Sequence, residues 1–291
     1  MPRVTHLPAV VADAPLLAWL LPALAPMSRT KVKELLGRGG IAVNGVTVTQ
    51  FNHPLTPGDR VTVGKPAVRD NSLAAGNLTI VHEDDAVIVL DKPAGLLTVA
   101  TDAEKTDTAF ARLSAHLEAR TAGRPFVVHR LDRDTSGLLL FARTAAARDT
   151  LQAAWPELTK TYLAVVQGRP KHAEGRIENH LVEGKDFRVR VCDEGEPDAK
   201  LAISEYRVLN SAGRFSLVEV TLVTGRKHQI RVHMNGLRCP IVGDPLYGDA
   251  ENPAGRLGLH AARLEFPHPT TGEPIRCESL LPAALRRVLG G

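Results

Sequence analysis

The chain has 291 residues, 44% hydrophobic and 23% charged, a balance that supports buried cores and excludes a globally disordered chain. A net charge of +4 permits an anionic partner without requiring one, and 7 Phe, 3 Tyr and 2 Trp are too few for a single-strand binder built on many stacking rings. Three cysteines with no CxxC exclude a disulfide framework and a Cys-rich zinc site, and they fit a reducing cytoplasm.

The longest apolar run, residues 14–25, is too short to cross a bilayer and contains Pro22. Ala23-Leu24-Ala25 resembles a signal-cleavage site, but only Arg3 supplies a base upstream and Asp13 abuts the run. The run is read as a core helix of a small N-terminal domain, the protein as cytoplasmic with no membrane partner. Ser28 is placed to cap a helix over Arg29–Gly37, where Val32, Leu35 and Leu36 form one apolar stripe and Gly39-Gly40 ends it. Strands are expected at residues 41–45 and 46–51, joined by an Asn44-Gly45 turn, and again after Pro57-Gly58. Residues 1–64 hold six bases (Arg3, Arg29, Lys31, Lys33, Arg38, Arg60) against three acids. The small, polar stretch 65–77 is read as a linker between a domain at 12–64 and one at 78–291.

The second domain is expected to be α+β. Two strands flank a Glu83-Asp84-Asp85 turn, a helix covers about 107–120, Gly137 begins a buried strand GLLLFA, and a helix from Ala145 stops at Trp155 before Pro156. TYLAVVQG, DFRVRVC, AISEYRV and FSLVEVTLV read as strands, the last two joined by Asn210–Arg214. Hairpin-linked neighbours predict a mostly antiparallel, mixed β-sheet flanked by helices and loops.

Two stretches concentrate charge. In His129-Arg130-Leu131-Asp132-Arg133-Asp134-Thr135, two carboxylates and three bases precede an apolar strand. A surface turn of mutually paired charges explains this as well as a site does. Between Thr224 and Arg238 lie four bases and two histidines with no acid. If helical, Lys227 and Arg231 share a face, which suits a phosphate-facing patch with one arginine turned inward to a carboxylate, or a solvated basic face. No zincin spacing links His228 and His233, so no metal is expected. Gly243–Gly248, GDPLYG, reads as a structural tight turn.

Six segments occur in order: DKPAGL (Asp91–Leu96), HRLDRDTSGLLLFART (His129–Thr144), KTYLAVVQG (Lys160–Gly168), TGRKHQIRVHM (Thr224–Met234), GDPLYG and LHAARLEFPHPTTGE (Leu259–Glu273). Together they closely resemble the RluA family of RNA pseudouridine synthases across about residues 78–285. Residues 12–64, with SRTKVKELL, VNG and PGD, resemble an S-four-like RNA-binding domain. The resemblance implies that Asp132 is the catalytic aspartate, that Tyr162 stacks on the uracil and helps remove its proton, and that Arg231 pairs with Asp132. It implies that Arg130 inserts into RNA, with His129, Thr135, Lys227 and His228 as further substrate contacts. In the module, Arg29, Lys31, Lys33, Arg38 and Asn44 would face RNA. It implies no metal or organic cofactor. Asp134 falls at a variable position. Asp91 replaces a common Asn, and LLTVAT lacks a frequent His-Pro, which is expected to alter loop packing more than chemistry.

Uridine becomes pseudouridine when the base–ribose C–N bond breaks, the uracil rotates and its carbon joins the same ribose. An ionised aspartate serves either as nucleophile at the anomeric carbon or as base at the neighbouring ribose carbon. The target base must leave its stack, at a cost of a few kcal/mol. The expected RNA is large-subunit rRNA, with tRNA as the second choice, and the expected state is a monomer. Two other classes compete: a non-catalytic RNA-binding assembly factor, and a phosphotransferase using Asp132-x-Asp134 with Mg²⁺, which His129-Arg130 in place of a leading apolar strand disfavours.

Overall fold

The computed structural model describes residues 5–37, 40–44, 46–48, 51, 53–63, 71–72, 78–101, 106–248 and 251–290. The chain divides into two compact units, Met1–Asp70 and Asn71–Gly291. Arg38, Gly39 and Gly45 lie outside the described residues, as does most of the stretch read as a linker. Within that stretch, Asn71–Ser72 forms a short strand paired to the second unit's sheet.

In the first unit, helices Leu16–Ala23 and Arg29–Gly37 follow the expected apolar stripes. Leu16, Leu20, Val32 and Leu36 pack with Ile41, Leu55 and Val61 into one core. Ser28 Oγ accepts the Lys31 N–H at 3.4 Å, a long cap contact. The sheet runs Thr5–His6, Val61–Val63, Ile41–Val43, Val46–Thr47, all antiparallel. Asn44 adopts φ 51°, as the expected turn demands. Its amide is spent internally: Nδ2 donates to Asp59 Oδ1 at 2.8 Å, and Oδ1 accepts the Arg60 N–H at 2.9 Å. Arg29, Lys31 and Lys33 are exposed. Among the described residues, no helix of either unit is long and apolar enough to cross a membrane.

The second unit is α+β, built on a large mixed sheet. Its path is Val189–Cys192, Glu174–Glu183, Lys200–Ala212, Phe215–Leu222, Thr159–Gln167, Leu259–Pro267, Ser136–Ala142, Val87–Lys92, Thr79–Glu83 and Asn71–Ser72. Every pairing along it is antiparallel except Ser136–Ala142 against Leu259–Pro267. Ser136–Ala142 is buried on both faces. Leu139 and Phe141 meet Leu113 and Leu117 of helix Ala109–Ala119. Leu138 and Leu140 meet Ala147 and Leu151 of helix Ala145–Ala154. That double cover explains the unbroken apolar run. Thr108 and Thr144 cap these helices, each accepting an N–H at 3.0 Å.

The parallel seam places the site. Gly137 lies opposite Ala261, which on its other side lies opposite Tyr162. Gly137 has φ 108°, and a Cβ there would sit 2.2 Å from the Ala261 carbonyl oxygen. Only glycine admits this approach. Gly137 is therefore two strands, or about 10 Å, from Tyr162, and Asp132 lies in the loop that leads into this strand. A register shift between Thr161 and Tyr162 sets the tyrosine at a bulge, a device that re-aims a side chain.

Three elements depart from expectation. Strand Glu174–Glu183 is not among the expected strands: Glu174, Arg176 and Glu178 are exposed on one face, while Gly175 and Asn179 interrupt the apolar positions Ile177 and Leu181 on the other and weaken the period-two signal. Strand Lys200–Ala212 runs through part of the expected 210–214 connection, leaving the turn to Gly213-Arg214. Helix Gln229–Gly236 starts after Lys227, so Lys227 and Arg231 do not share a helical face.

Candidate active site

A cleft of ≈ 680 Å³ is lined by Asp132, Tyr162, Arg231, Arg130, His129, Thr135, Lys227 and His228 together. The eight catalytic and substrate-binding candidates thus converge on one hollow, although the sequence scatters them over a hundred residues. Leu97, Thr98, Trp155, Lys160 and Leu246 complete much of the wall.

The Asp132 loop is held by its backbone. Buried Thr98 donates its hydroxyl to the Leu131 carbonyl at 2.8 Å and accepts the Leu131 N–H at 3.1 Å. Lys92 is fully buried, and its Nζ donates to the carbonyls of Pro93, Leu96 and Arg133 at 3.0, 2.8 and 3.0 Å. Three acceptors match the three protons of an ammonium. Burial pulls its pKa down to about 7, while the nearby charges of Asp134 and Asp132 oppose that pull. Leu131 and Arg133, on either side of Asp132, are thus tied to Thr98, just after DKPAGL, and to Lys92 within it. The carboxylate itself is about a third exposed and faces the cleft.

Around Asp132 the candidates divide by commitment. Arg130 is exposed and has no hydrogen-bond or ion-pair partner among the described residues, so its guanidinium is available at the cleft. His129 is taken: Nε2 accepts the Leu140 N–H at 3.0 Å and the ring stacks on Trp155 with centroids 4.2 Å apart. Desolvation drops its pKa to about 3, which leaves it neutral. Lys160 closes that corner, donating to the Trp155 carbonyl at 2.7 Å, with burial lowering its pKa to about 8. Tyr162 is half-buried, and its hydroxyl has no protein partner among the described residues. Burial first, then the charge of Asp132, pushes its pKa up, so it remains a phenol at neutral pH. Lys227 pairs with Glu183 and lies over the Phe187 ring at 5.5 Å.

The close ion pair of Arg231 is with Asp244 and not with Asp132, although the charge of Asp132 still acts on it. Arg231 forms a bidentate pair with Asp244, Nε to Oδ2 at 2.8 Å and Nη2 to Oδ1 at 2.6 Å. Asp244 is fully buried and also accepts the N–H groups of Leu246 and Tyr247 at 2.9 and 3.1 Å. Burial opposes both charges, but the pair and the two N–H donors outweigh it, lowering the Asp244 pKa and raising that of Arg231. The physical reason is donor geometry: the closed turn Gly243–Gly248 aims a preorganised carboxylate at the guanidinium fork. His228 instead meets Asp132, Nε2 to Oδ2 at 3.9 Å.

Among the described residues, no group of three His, Cys, Asp or Glu side chains comes together in a way that could hold a metal ion. The sequence profile of RNA pseudouridylate synthases matches residues 86–236, more than half of the chain. The chain belongs to this family.

The synthase isomerises uridine in RNA to pseudouridine. It is similar, at 36% identity over 271 residues, to the "Uncharacterized RNA pseudouridine synthase YlyB" of Bacillus subtilis (strain 168), with 90% of this chain and 88% of that one covered. It is 35% identical over 285 residues to "Ribosomal large subunit pseudouridine synthase D" of Xanthomonas campestris pv. campestris, covering 90% and 84%. Among solved structures, "Human RNA Pseudouridylate Synthase Domain Containing 4" superposes with a TM-score of 0.61 at 27% identity, covering 72% of this chain and 91% of that one.

Sequence reasoning missed what supports the synthase's cleft. Asp244 lay inside a motif read as a mere turn. The clue was the acid-free stretch 224–238, which leaves any inward arginine to find its carboxylate elsewhere in the chain. Gln229 gave no signal, yet it is buried and pins the loop before it: its amide oxygen accepts from Thr224 and Arg226, and its nitrogen donates to Ile203 and Ser204. His233 closes the same network on Ser204 and Asn179, at 2.9 and 3.0 Å, and desolvation lowers its pKa to about 4.

Desolvated neutral histidines, among them His129 and His233, make the fold acid-sensitive. In the unfolded chain, His129 and His233 take up protons near pH 6.5, whereas the folded chain refuses them until about 3 and 4. Unfolding therefore binds protons across that window, and stability falls as pH drops from about 6.5 towards 4. The urea midpoint is expected to be clearly lower at pH 5 than at pH 7; equal midpoints at the two values would refute this.

Proposed function

We propose that the synthase modifies uridines in structured large-subunit rRNA, with Asp132 acting on the ribose of a nucleotide flipped into the cleft. The carrying observation is the convergence of an accessible carboxylate, a phenol ring with a free hydroxyl, and an uncommitted Arg130 on one cleft. Arg130 supplies a wedge and a phosphate-range cation, which helps offset the cost of unstacking. Tyr162 offers a ring face to the uracil. The enclosed wall retains the detached base, so water does not intercept it. Asp132 acts either as nucleophile at the anomeric carbon or as base at its neighbour, and the C–N bond to the base breaks. The base then turns and its carbon bonds to the anomeric carbon. On the nucleophile route this displaces Asp132 from that carbon, and on the base route Asp132 returns the proton it took from the neighbouring ribose carbon. The uracil carbon that attacked loses its proton and the freed ring nitrogen takes one up. One of the two causes holding Tyr162 protonated is the charge of Asp132, so masking that charge against the sugar eases ionisation of the phenol to phenolate, the form that accepts a proton.

The choice of rRNA over tRNA rests on relatives named as ribosomal large-subunit enzymes. It also rests on a separate, S-four-like module whose Arg29, Lys31 and Lys33 are exposed. No metal or organic cofactor is required by this route, and a cytoplasmic monomer suffices. Site-by-site pseudouridine mapping of total RNA from a strain with and without the gene tests the assignment. A site lost from large-subunit rRNA is expected. A site lost only from tRNA would move the substrate, and no lost site would favour a non-catalytic assembly role.

A further inference from the structure

Asp132 has one ion-pair-range partner among the described residues, and it is His228 rather than an arginine. Arg231 makes its close ion pair with Asp244, and although its charge still acts on Asp132, the polar group nearest the reactive carboxylate is an imidazole. Which nitrogen carries the proton follows from the bonds behind the ring. The Val189 N–H donates to the Tyr247 hydroxyl oxygen at 2.8 Å. Among the described residues, the Tyr247 hydroxyl proton then has one acceptor in reach, His228 Nδ1 at 2.9 Å. A neutral imidazole that accepts at Nδ1 carries its single proton at Nε2. Nε2 is the nitrogen that faces Asp132 Oδ2 at 3.9 Å.

Other features show that this ring is held for a reason other than helix capping. His228 occupies the cap position of helix Gln229–Gly236 but makes no side-chain cap bond there. Its backbone is left-handed, φ 53°, a conformation uncommon for residues other than glycine. The ring stands edge-on to Tyr247, with centroids 5.6 Å apart and planes at 77°. Tyr247 is itself fixed over the Arg231 guanidinium at 5.1 Å. Strained backbone of this kind persists where the surroundings over-determine it.

We propose that His228 is a positioning residue for Asp132: a neutral imidazole, its tautomer fixed by the Tyr247 hydroxyl, directs Nε2–H at the carboxylate and holds it in its reacting orientation. The proposal rests on the assignment of Asp132 above and deepens it. Closing 3.9 Å to hydrogen-bond distance needs a shift of about 1 Å when substrate binds, or one bridging water. A neutral donor orients the carboxylate while leaving more of its basicity than a guanidinium in direct contact would.

The test uses the full chain labelled with ¹⁵N-histidine and an unmodified transcript carrying the mapped uridine. At neutral pH the His228 resonances, assigned by their loss in His228→Gln, are expected to show Nε2–H with a bare Nδ1. In Tyr247→Phe they are expected to shift towards a mixture of tautomers. An Nδ1–H tautomer in the unsubstituted protein overturns the proposal. In single-turnover assays, His228→Leu is expected to lose roughly 10- to 100-fold in rate, the size of one hydrogen bond to a charged group. His228→Gln, whose amide N–H can point the same way, is expected to recover most of that loss. Transcript Kd is expected to stay within about two-fold in both. Equal losses in Gln and Leu variants, or a loss confined to Kd, would refute positioning. Full activity in Asp132→Asn would instead remove the assignment beneath it.

Discussion

Asp132→Asn is expected to abolish pseudouridine formation, lowering the rate roughly 10³-fold or more, as removal of a nucleophile or general base does. The substitution keeps shape and removes chemistry: an amide is neither a useful nucleophile nor a base at neutral pH. Folding is expected to survive. The Asp132 side chain is partly exposed, its ion-pair contact with His228 is as long as 3.9 Å, and the loop is held by Thr98 and Lys92 through backbone atoms. The bond that shapes the turn runs from the Thr135 N–H to the Asp132 carbonyl, which the substitution retains. Mass-sensitive detection of pseudouridine in RNA from a deletion strain complemented with the variant reads the outcome, with a thermal melt on the purified protein as the folding control. Modification at the level of the unsubstituted gene would remove Asp132 from the reaction.

The second large effect concerns stability as well as rate. Asp244→Ala is expected to destabilise the second unit by about 3–5 kcal/mol, because it strands the buried Arg231 guanidinium and two backbone N–H groups at once. The Asp244–Arg231 pair need not be strongly stabilising in itself, since burying two charges offsets much of their attraction. The cost lies in breaking one side of it. Arg231 also supports Tyr247, which in turn meets His228, so the consequences extend to the cleft. Replacing both partners with apolar residues, Arg231→Met with Asp244→Leu, is expected to recover a large part of the lost stability while leaving activity low. Urea unfolding of the single and double variants measures the coupling. A single variant within 1 kcal/mol of the unsubstituted protein would show the pair to be dispensable.

Much of this was legible along the chain. The apolar periodicities placed helices near Arg29–Gly37 and Ala109–Ala119, since a core-facing stripe is a local property, and Pro156 marked the end of the helix from Ala145. GLLLFA announced a strand buried on both faces for the same reason. The charged run before it marked a place where carboxylate and bases gather. What stayed hidden were features that need two distant segments. Strand Leu259–Pro267 joins the sheet's two parts through a two-residue parallel pairing, and no periodicity announces that role. The partner of Arg231 could not be chosen from the sequence, because either Asp132 or Asp244 offers a suitable carboxylate. Turn geometry decides it: the Asp244 carboxylate is already oriented by two N–H donors.

The sequence by itself determined the residue types of the chemistry: two aspartates before a buried strand, one tyrosine on a strand, and a basic stretch without acids. It also determined that aromatic rings would be few, which suits a cleft needing one ring face at the base. Only the tertiary structure decided who touches whom. It gave Arg231 its close ion pair with Asp244, spent His129 on a backbone N–H, tied Lys227 to Glu183 and left the Nε2 side of His228 facing Asp132. The reason is that a charged side chain's partner is chosen by desolvation and donor geometry in three dimensions, and neither is written in the spacing of residues along one.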